Sequence, residues 1–139
     1  MVNIGQKNTI TYSKESFADY FRNDSNVVFA VIFGSSKDGI IKHGSDLDIG
    51  VYFHDPPKGI DEFDYYCKLS SIDNRIERID FVNLNRANTI LAFEAIKGEF
   101  ICKNDPEQTA GFFSLVCREY EDVMSSIEYQ YSLREEYKK

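Results

Sequence analysis

The sequence has no paired or clustered cysteines, no membrane-length apolar run and no stripe of basic residues, and each absence removes a class of protein. Cys67, Cys102 and Cys117 are odd in number, far apart and without Cys-x-x-Cys spacing. Neither a disulfide framework nor a zinc site is expected from them, and a reducing cytoplasm is the natural compartment. No stretch approaches the roughly 18 apolar residues of a membrane span, and the polar segment from Met1 to Thr11 has no apolar signal-peptide core. Lys and Arg number 16 against 23 Asp and Glu, giving a formal charge of −7 without any basic cluster. A nucleic-acid backbone would be repelled by such a surface, so direct nucleic-acid binding is not expected. Internal repeats, linkers and low-complexity tracts are missing too. What is there is enough for one domain over residues 1–139, because 42% hydrophobic and 14% aromatic residues can build a core without covalent staples.

Periodicity divides the chain. Tyr12, Ser13 and Phe17 occupy the staple, cap and N4 positions of a helix start, and Phe17, Tyr20 and Phe21 share an apolar face, predicting a helix over 14–22. Val27 to Phe33 is an unbroken apolar, β-branched run, as expected of a central strand buried on both faces. It stops at Gly34-Ser35, and a polar loop carrying Gly39 and Gly44 leads to a second strand. A helix over about 60–72, a strand over 76–84, a helix over 87–97 ended by Gly98, and a strand over 99–103 follow. Asp105-Pro106 then caps and opens a long helix reaching about Tyr137. The fold class is α+β: a small mixed or antiparallel sheet packed by helices.

The second strand carries the chemistry. Leu47, Ile49, Val51 and Phe53 alternate with Asp46, Asp48, Gly50 and Tyr52, so both aspartates project from one face. Carboxylates at i and i+2 of a strand stand about 6.5 Å apart at Cα and repel unless a cation lies between them. Oxygen-only ligands favour Mg²⁺ or Mn²⁺, and Mg²⁺ completes its shell with water and substrate phosphates. Taken alone, an Asp-x-Asp is more often the solvated face of an antiparallel strand. Gly34-Ser35, directly after a buried strand, adds a small residue that lets backbone approach phosphate and a hydroxyl that can hold its oxygens. Ten residues separate Ser35 from Asp46.

The stretch from Phe33 to Gly39 and from Gly44 to Val51 resembles the signature of the polymerase-β-like nucleotidyltransferase superfamily in its minimal MNT form, where a Gly-Ser pair precedes Asp-x-Asp by ten residues. Lys37 and Asp38 depart from the commonest loop pattern, which has a small residue and often a basic one there. Arg78 to Asn85 is similar to the third strand of these enzymes, with Asp80 at the place of a third carboxylate. Glu77, on the other face of that strand, is the competitor, and Asp73 lies too early in the loop. The resemblance favours Asp80. Thr89 to Cys102 and Tyr120 to Asp122 also resemble the minimal family.

The resemblance implies a palm-like fold, ATP as substrate and two Mg²⁺ ions. It places Asp46, Asp48 and Asp80 at the metals, Gly34 and Ser35 at the β- and γ-phosphates, and Asp80 on the acceptor side as ligand or base. Minimal MNT proteins resemble the antitoxins of HEPN–MNT pairs, which implies AMP transfer to a tyrosine of a HEPN toxin. A chain with little beyond the catalytic unit fits a protein acceptor. The alternatives are a small-molecule, aminoglycoside-type transferase completed by dimerisation, and a non-catalytic binder of the same fold. Lys37, Lys42 and His43 are lesser candidates for phosphate contact, and His54 is too isolated for a metal site. Phe112, Phe113, Tyr120, Tyr129 and Tyr131 are expected in the core or an interface rather than as a base-stacking platform, and the run from Arg134 to Lys139 as a solvated helix end.

Overall fold

The computed structural model describes residues 9–36 and 38–137. Its elements in chain order are β1 (Thr9–Thr11), α1 (Lys14–Arg22), β2 (Val27–Phe33), a 3-10 turn (Gly34–Ser36), β3 (Ile40–Lys42), β4 (Asp46–Phe53), α2 (Ile60–Ser70), β5 (Arg78–Asn83), α3 (Thr89–Ile96), β6 (Glu99–Lys103) and α4 (Pro106–Tyr137). Three of the helix starts, those of α1, α3 and α4, are chemically specified. Ser13 Oγ accepts from the Ser16 amide, Asn88 Oδ1 from the Leu91 amide and Asp105 Oδ1 from the Gln108 amide, satisfying N–H groups that have no partner inside the helix. Tyr12 and Phe17 pack edge to face at 6.5 Å across the first of these caps.

A four-stranded sheet in the order β5-β4-β2-β6 forms the middle layer. β2 pairs antiparallel with β4 and β6, whereas β4 and β5 run parallel, joined by the α2 crossover. All seven residues of β2 are buried, because both faces of the sheet are covered. On one face Ile32, Leu47, Ile49, Val51 and Ile79 pack with Phe17 and Phe21 of α1 and Leu69 of α2. On the other, Phe29, Val31, Phe33 and Leu84 pack with Ala95 of α3 and Phe112 of α4. Truncating a fully buried ring such as Phe29 to Ala would cost about 3–5 kcal/mol. Gly50 fits this second layer closely. A Cβ there would sit 3.1 Å from Leu84 Cδ1 and 3.2 Å from Val31 Cγ1.

Two features depart from the reading of the sequence. β1 and β3 form a separate two-stranded antiparallel ribbon. Strands of three residues carry too little alternation to be seen in a pattern. Of the aromatics on α4, Phe112 packs into the core and Tyr120 stacks on Phe93, but Phe113 is exposed on the outward side of the helix, and Tyr129 and Tyr131 are exposed where the helix outruns the body it packs on. Lys37 and the segment before Thr9 lie outside the described residues. Among the described residues no helix is long and apolar enough to cross a membrane.

Candidate active site

Asp46 and Asp48 open β4, and the strand period points them away from the buried Leu47 and Ile49. They lie on the face covered by α3 and α4, at the end those helices leave open. Parallel register sets Asp80 directly beside Asp48, Arg78 beside Asp46 and Val82 beside Gly50. On the other side of β4, Phe33 is the partner of Asp48. Row by row, the face thus changes from Tyr52 against Phe29 to Gly50 against Val31, and ends in carboxylates.

The turn after β2 is shaped around Asp48. Gly34 has φ +74°, and a Cβ on it would lie 2.5 Å from Asp48 Oδ2, so only glycine allows the backbone to come so near the carboxylate. Ser35 is exposed at this turn, while Ser36 is buried and its hydroxyl donates to the Asp46 carbonyl at 3.5 Å. The Tyr12 hydroxyl donates to the Ser36 carbonyl, and the Tyr12 amide to the Gly39 carbonyl at 3.1 Å. Burial pushes the Tyr12 hydroxyl up to about 12, so it stays a proton donor and pins the loop in place.

Asp46, Asp48 and Asp80 differ in their surroundings. Asp46 is exposed and its Oδ1 forms an ion pair with Arg78 Nε at 3.0 Å. Asp48 is half-buried. Burial first, then the charges of Asp80 and Asp46, push its carboxyl up to about 6, as expected of like charges crowded without a counter-ion. Asp80 is exposed. As the side chains stand, no three carboxylate, imidazole or thiolate groups among the described residues converge on one point, and Asp46 is turned toward Arg78. The donor set still fits a hard divalent cation, since every available atom is a carboxylate oxygen and the charge excess falls on Asp48.

The competing acids are engaged elsewhere. Glu77 faces His43 at 3.2 Å, on the opposite parity of the strand from Asp80. Asp73 is buried and accepts from the Ser13 amide, the Arg75 amide and the Arg75 guanidinium, which hold its carboxyl down at about 2. It ties the start of α1 to the approach to β5. His54 lies 3.8 Å from Asp105 at the far end of the sheet. Two residues near the carboxylates escaped the sequence reading. Arg78 was legible by i, i+2 alternation from Asp80. Lys97 was not, because it reaches the site only through tertiary packing: with Gly34, Glu94 and Gly98 it lines a cleft of about 630 Å³.

Residues 15–107 match the family model described as polymerase beta, nucleotidyltransferase. The chain therefore belongs to the polymerase beta nucleotidyltransferase family, and its fold and enzyme class are those of a nucleotidyltransferase. Among solved structures it is similar to a chain of a toxin–antitoxin complex with AMP-PNP, at 20% identity and TM-score 0.69, covering 86% of this chain and 96% of that one. It is likewise similar to a chain in the complex of tri-AMPylated Shewanella oneidensis HEPN toxin with MNT antitoxin, at 19% identity and TM-score 0.64, covering 93% and 97%. A third such structure, of the toxin–antitoxin MntA–HepT, matches at 18% identity and TM-score 0.64, covering 86% and 93%. No curated protein sequence matches significantly.

Proposed function

We propose that this chain transfers AMP from ATP to a tyrosine hydroxyl of a HEPN-type toxin, acting in the cytoplasm as its antitoxin. The observation that carries the reading is the carboxylate row, Asp46 and Asp48 with Asp80 alongside, keyed to the glycine turn at Gly34. Similarity to toxin–antitoxin complexes, one holding AMP-PNP and one an AMPylated toxin, supports the choice of nucleotide and acceptor. The family relation supports the enzyme class.

In this reading Asp46, Asp48 and Asp80 hold Mg²⁺, which when bound offsets phosphate charge and polarises the α-phosphorus. Gly34 brings backbone up to the triphosphate, and Ser35, exposed beside it, supplies a hydroxyl to the β- and γ-phosphate oxygens. Asp80, exposed on the outer strand, faces the acceptor and takes the proton of the tyrosine hydroxyl. The tyrosine oxygen bonds to the α-phosphorus, the bond from that phosphorus to the β-phosphate oxygen breaks, and pyrophosphate leaves. The net charge of −7 suits a protein acceptor better than RNA. The 139 residues act together as one catalytic domain.

Incubating the protein with α-labelled ATP, Mg²⁺ and its HEPN partner tests this directly. Label on the partner, lost with Asp46→Ala, is expected. Tight complex formation with no label would overturn the enzymatic reading in favour of a binder. Asp80→Asn retaining near-normal transfer while Asp46→Asn abolishes it would remove Asp80 from the role of base.

A further inference from the structure

The cleft beside the carboxylate row poses an electrostatic problem. A triphosphate approaching Gly34 meets Asp46, Asp48 and Asp80, and metal ions must offset these before they offset the phosphates. Of the described residues that line the cleft, Lys97 alone is basic. Its position is fixed by close packing. A Cβ on Gly98 would fall 2.7 Å from Phe33 Cβ and 2.9 Å from Phe33 Cα, so the connection from α3 to β6 runs directly against the last residue of β2. Gly34 follows Phe33 in the chain, and Lys97 precedes Gly98 on the opposing segment. The side chain is also steered. Lys97 Nζ lies 5.1 Å from the centroid of Phe93, whose ring stacks on Tyr120 at 3.7 Å and 8°.

Resting on the transferase reading above, we propose that Lys97 is the protein's own cation for the terminal phosphates of the nucleoside triphosphate, set across the cleft from the carboxylates. Without nucleotide the ammonium is held by Glu94 at 2.8 Å, with both side chains more than half exposed. A solvated pair of that kind is weak and gives way readily to a more highly charged partner. Lysine suits the task as a compact point charge on a flexible stem, able to swing from a carboxylate to a phosphate oxygen. Glu94 keeps the ammonium at the cleft mouth until a triphosphate takes its place. Because AMP lacks those terminal phosphates, Lys97 discriminates triphosphate from monophosphate and contributes nothing to holding the adenosine or the α-phosphate.

The test compares affinities for AMP and for an ATP analogue bridged by methylene between the α- and β-phosphorus, each titrated with Mg²⁺ into the whole protein. Lys97→Met removes the charge and keeps the apolar stem over Phe93. It should weaken the triphosphate analogue about tenfold or more and leave AMP unchanged, the loss expected when a charged hydrogen-bond partner disappears. Lys97→Arg should restore most of the difference, and Glu94→Gln, which removes the competing carboxylate, should tighten the analogue. Equal weakening of both ligands in Lys97→Met would show a merely structural role and overturn the proposal. Unchanged analogue affinity in that variant, with the wild type preferring triphosphate, would overturn it alone. A wild type that binds neither nucleotide would bring down the transferase reading and this proposal together.

Discussion

At one end of β4, Asp46 and Asp48 stand in a row with Asp80, half-open to solvent, with Asp46 paired to Arg78 and Asp48 crowded by like charge. At the other, Phe53 is fully buried and both of its backbone polar groups are clamped by one side chain. The Phe53 amide donates to Asn85 Oδ1 and Asn85 Nδ2 donates to the Phe53 carbonyl, each at 2.9 Å. One strand therefore joins an end whose backbone is held by a side chain to an end where crowded carboxylates raise the free energy of the fold. The difference teaches where stability and chemistry have been separated. Substitutions at the carboxylate end should cost activity with little or no loss of stability, and substitutions at the clamped end the reverse.

The sharpest test is Asp48→Asn. It should lower AMP transfer by more than about a hundredfold, as expected when a ligand that holds the metal is lost. The thermal midpoint of the metal-free protein should hold or rise, since a repulsive charge has gone. Labelled-ATP transfer and a melt on the same sample check both halves. Gly34→Ala comes next. The new methyl must displace the Asp48 carboxylate and strain a backbone at φ +74°. Transfer should fall by about a hundredfold, the usual penalty for a misplacement near 1 Å, with destabilisation of about 1–2 kcal/mol. At the opposite end, Asn85→Ala should cost about 1–3 kcal/mol in a denaturant titration, because it orphans the Phe53 amide and carbonyl. Turnover per folded molecule should be unchanged; a matching loss of turnover would break the separation.

The smallest effect is on pH. In the unfolded chain Asp48 titrates near the ordinary aspartate value of about 3.9. In the folded metal-free protein it is pushed up to about 6, so folding favours the protonated form. The stability it contributes is complete below about pH 4 and is lost as pH rises through about 6. Asp73 acts oppositely. Its carboxyl is held down at about 2, and its contribution is present above about pH 4 and lost as pH falls toward 2. Metal-free melts should therefore decline in midpoint from about pH 4 to pH 7, and Asp48→Asn should flatten that slope while leaving the acid limb intact.

The parts legible in the sequence are those with a local cause. β2 and β4 declare themselves through an apolar run and an alternation, α1 and α4 through a cap at the helix start, and α3 through the glycine that ends it. Asp46 and Asp48 could be set on one face from spacing alone. Asp80 needed the resemblance, because nothing in its own neighbourhood says that β5 lies against β4, or that the two run parallel. The place of Lys97 beside Gly34 is likewise set across a long sequence separation, whereas the Arg78 contact with Asp46 follows by alternation once Asp80 is placed. The β1–β3 ribbon was missed for a different reason: three-residue strands pair through backbone atoms common to every sequence.

The parallel pairing of β4 with β5 also fixes when a working centre can exist. Asp46 and Asp48 are brought together as soon as one strand forms, but Asp80 arrives only after the chain has run through α2 and back along the same direction. Closures across so long an intervening segment come late in folding. A slip of one residue in that pairing would carry Asp80 to the α1 and α2 side of the sheet. With Asp80 in the role proposed above, an unfinished or misaligned copy holds two of the three carboxylates, and transfer should begin only once the topology is complete.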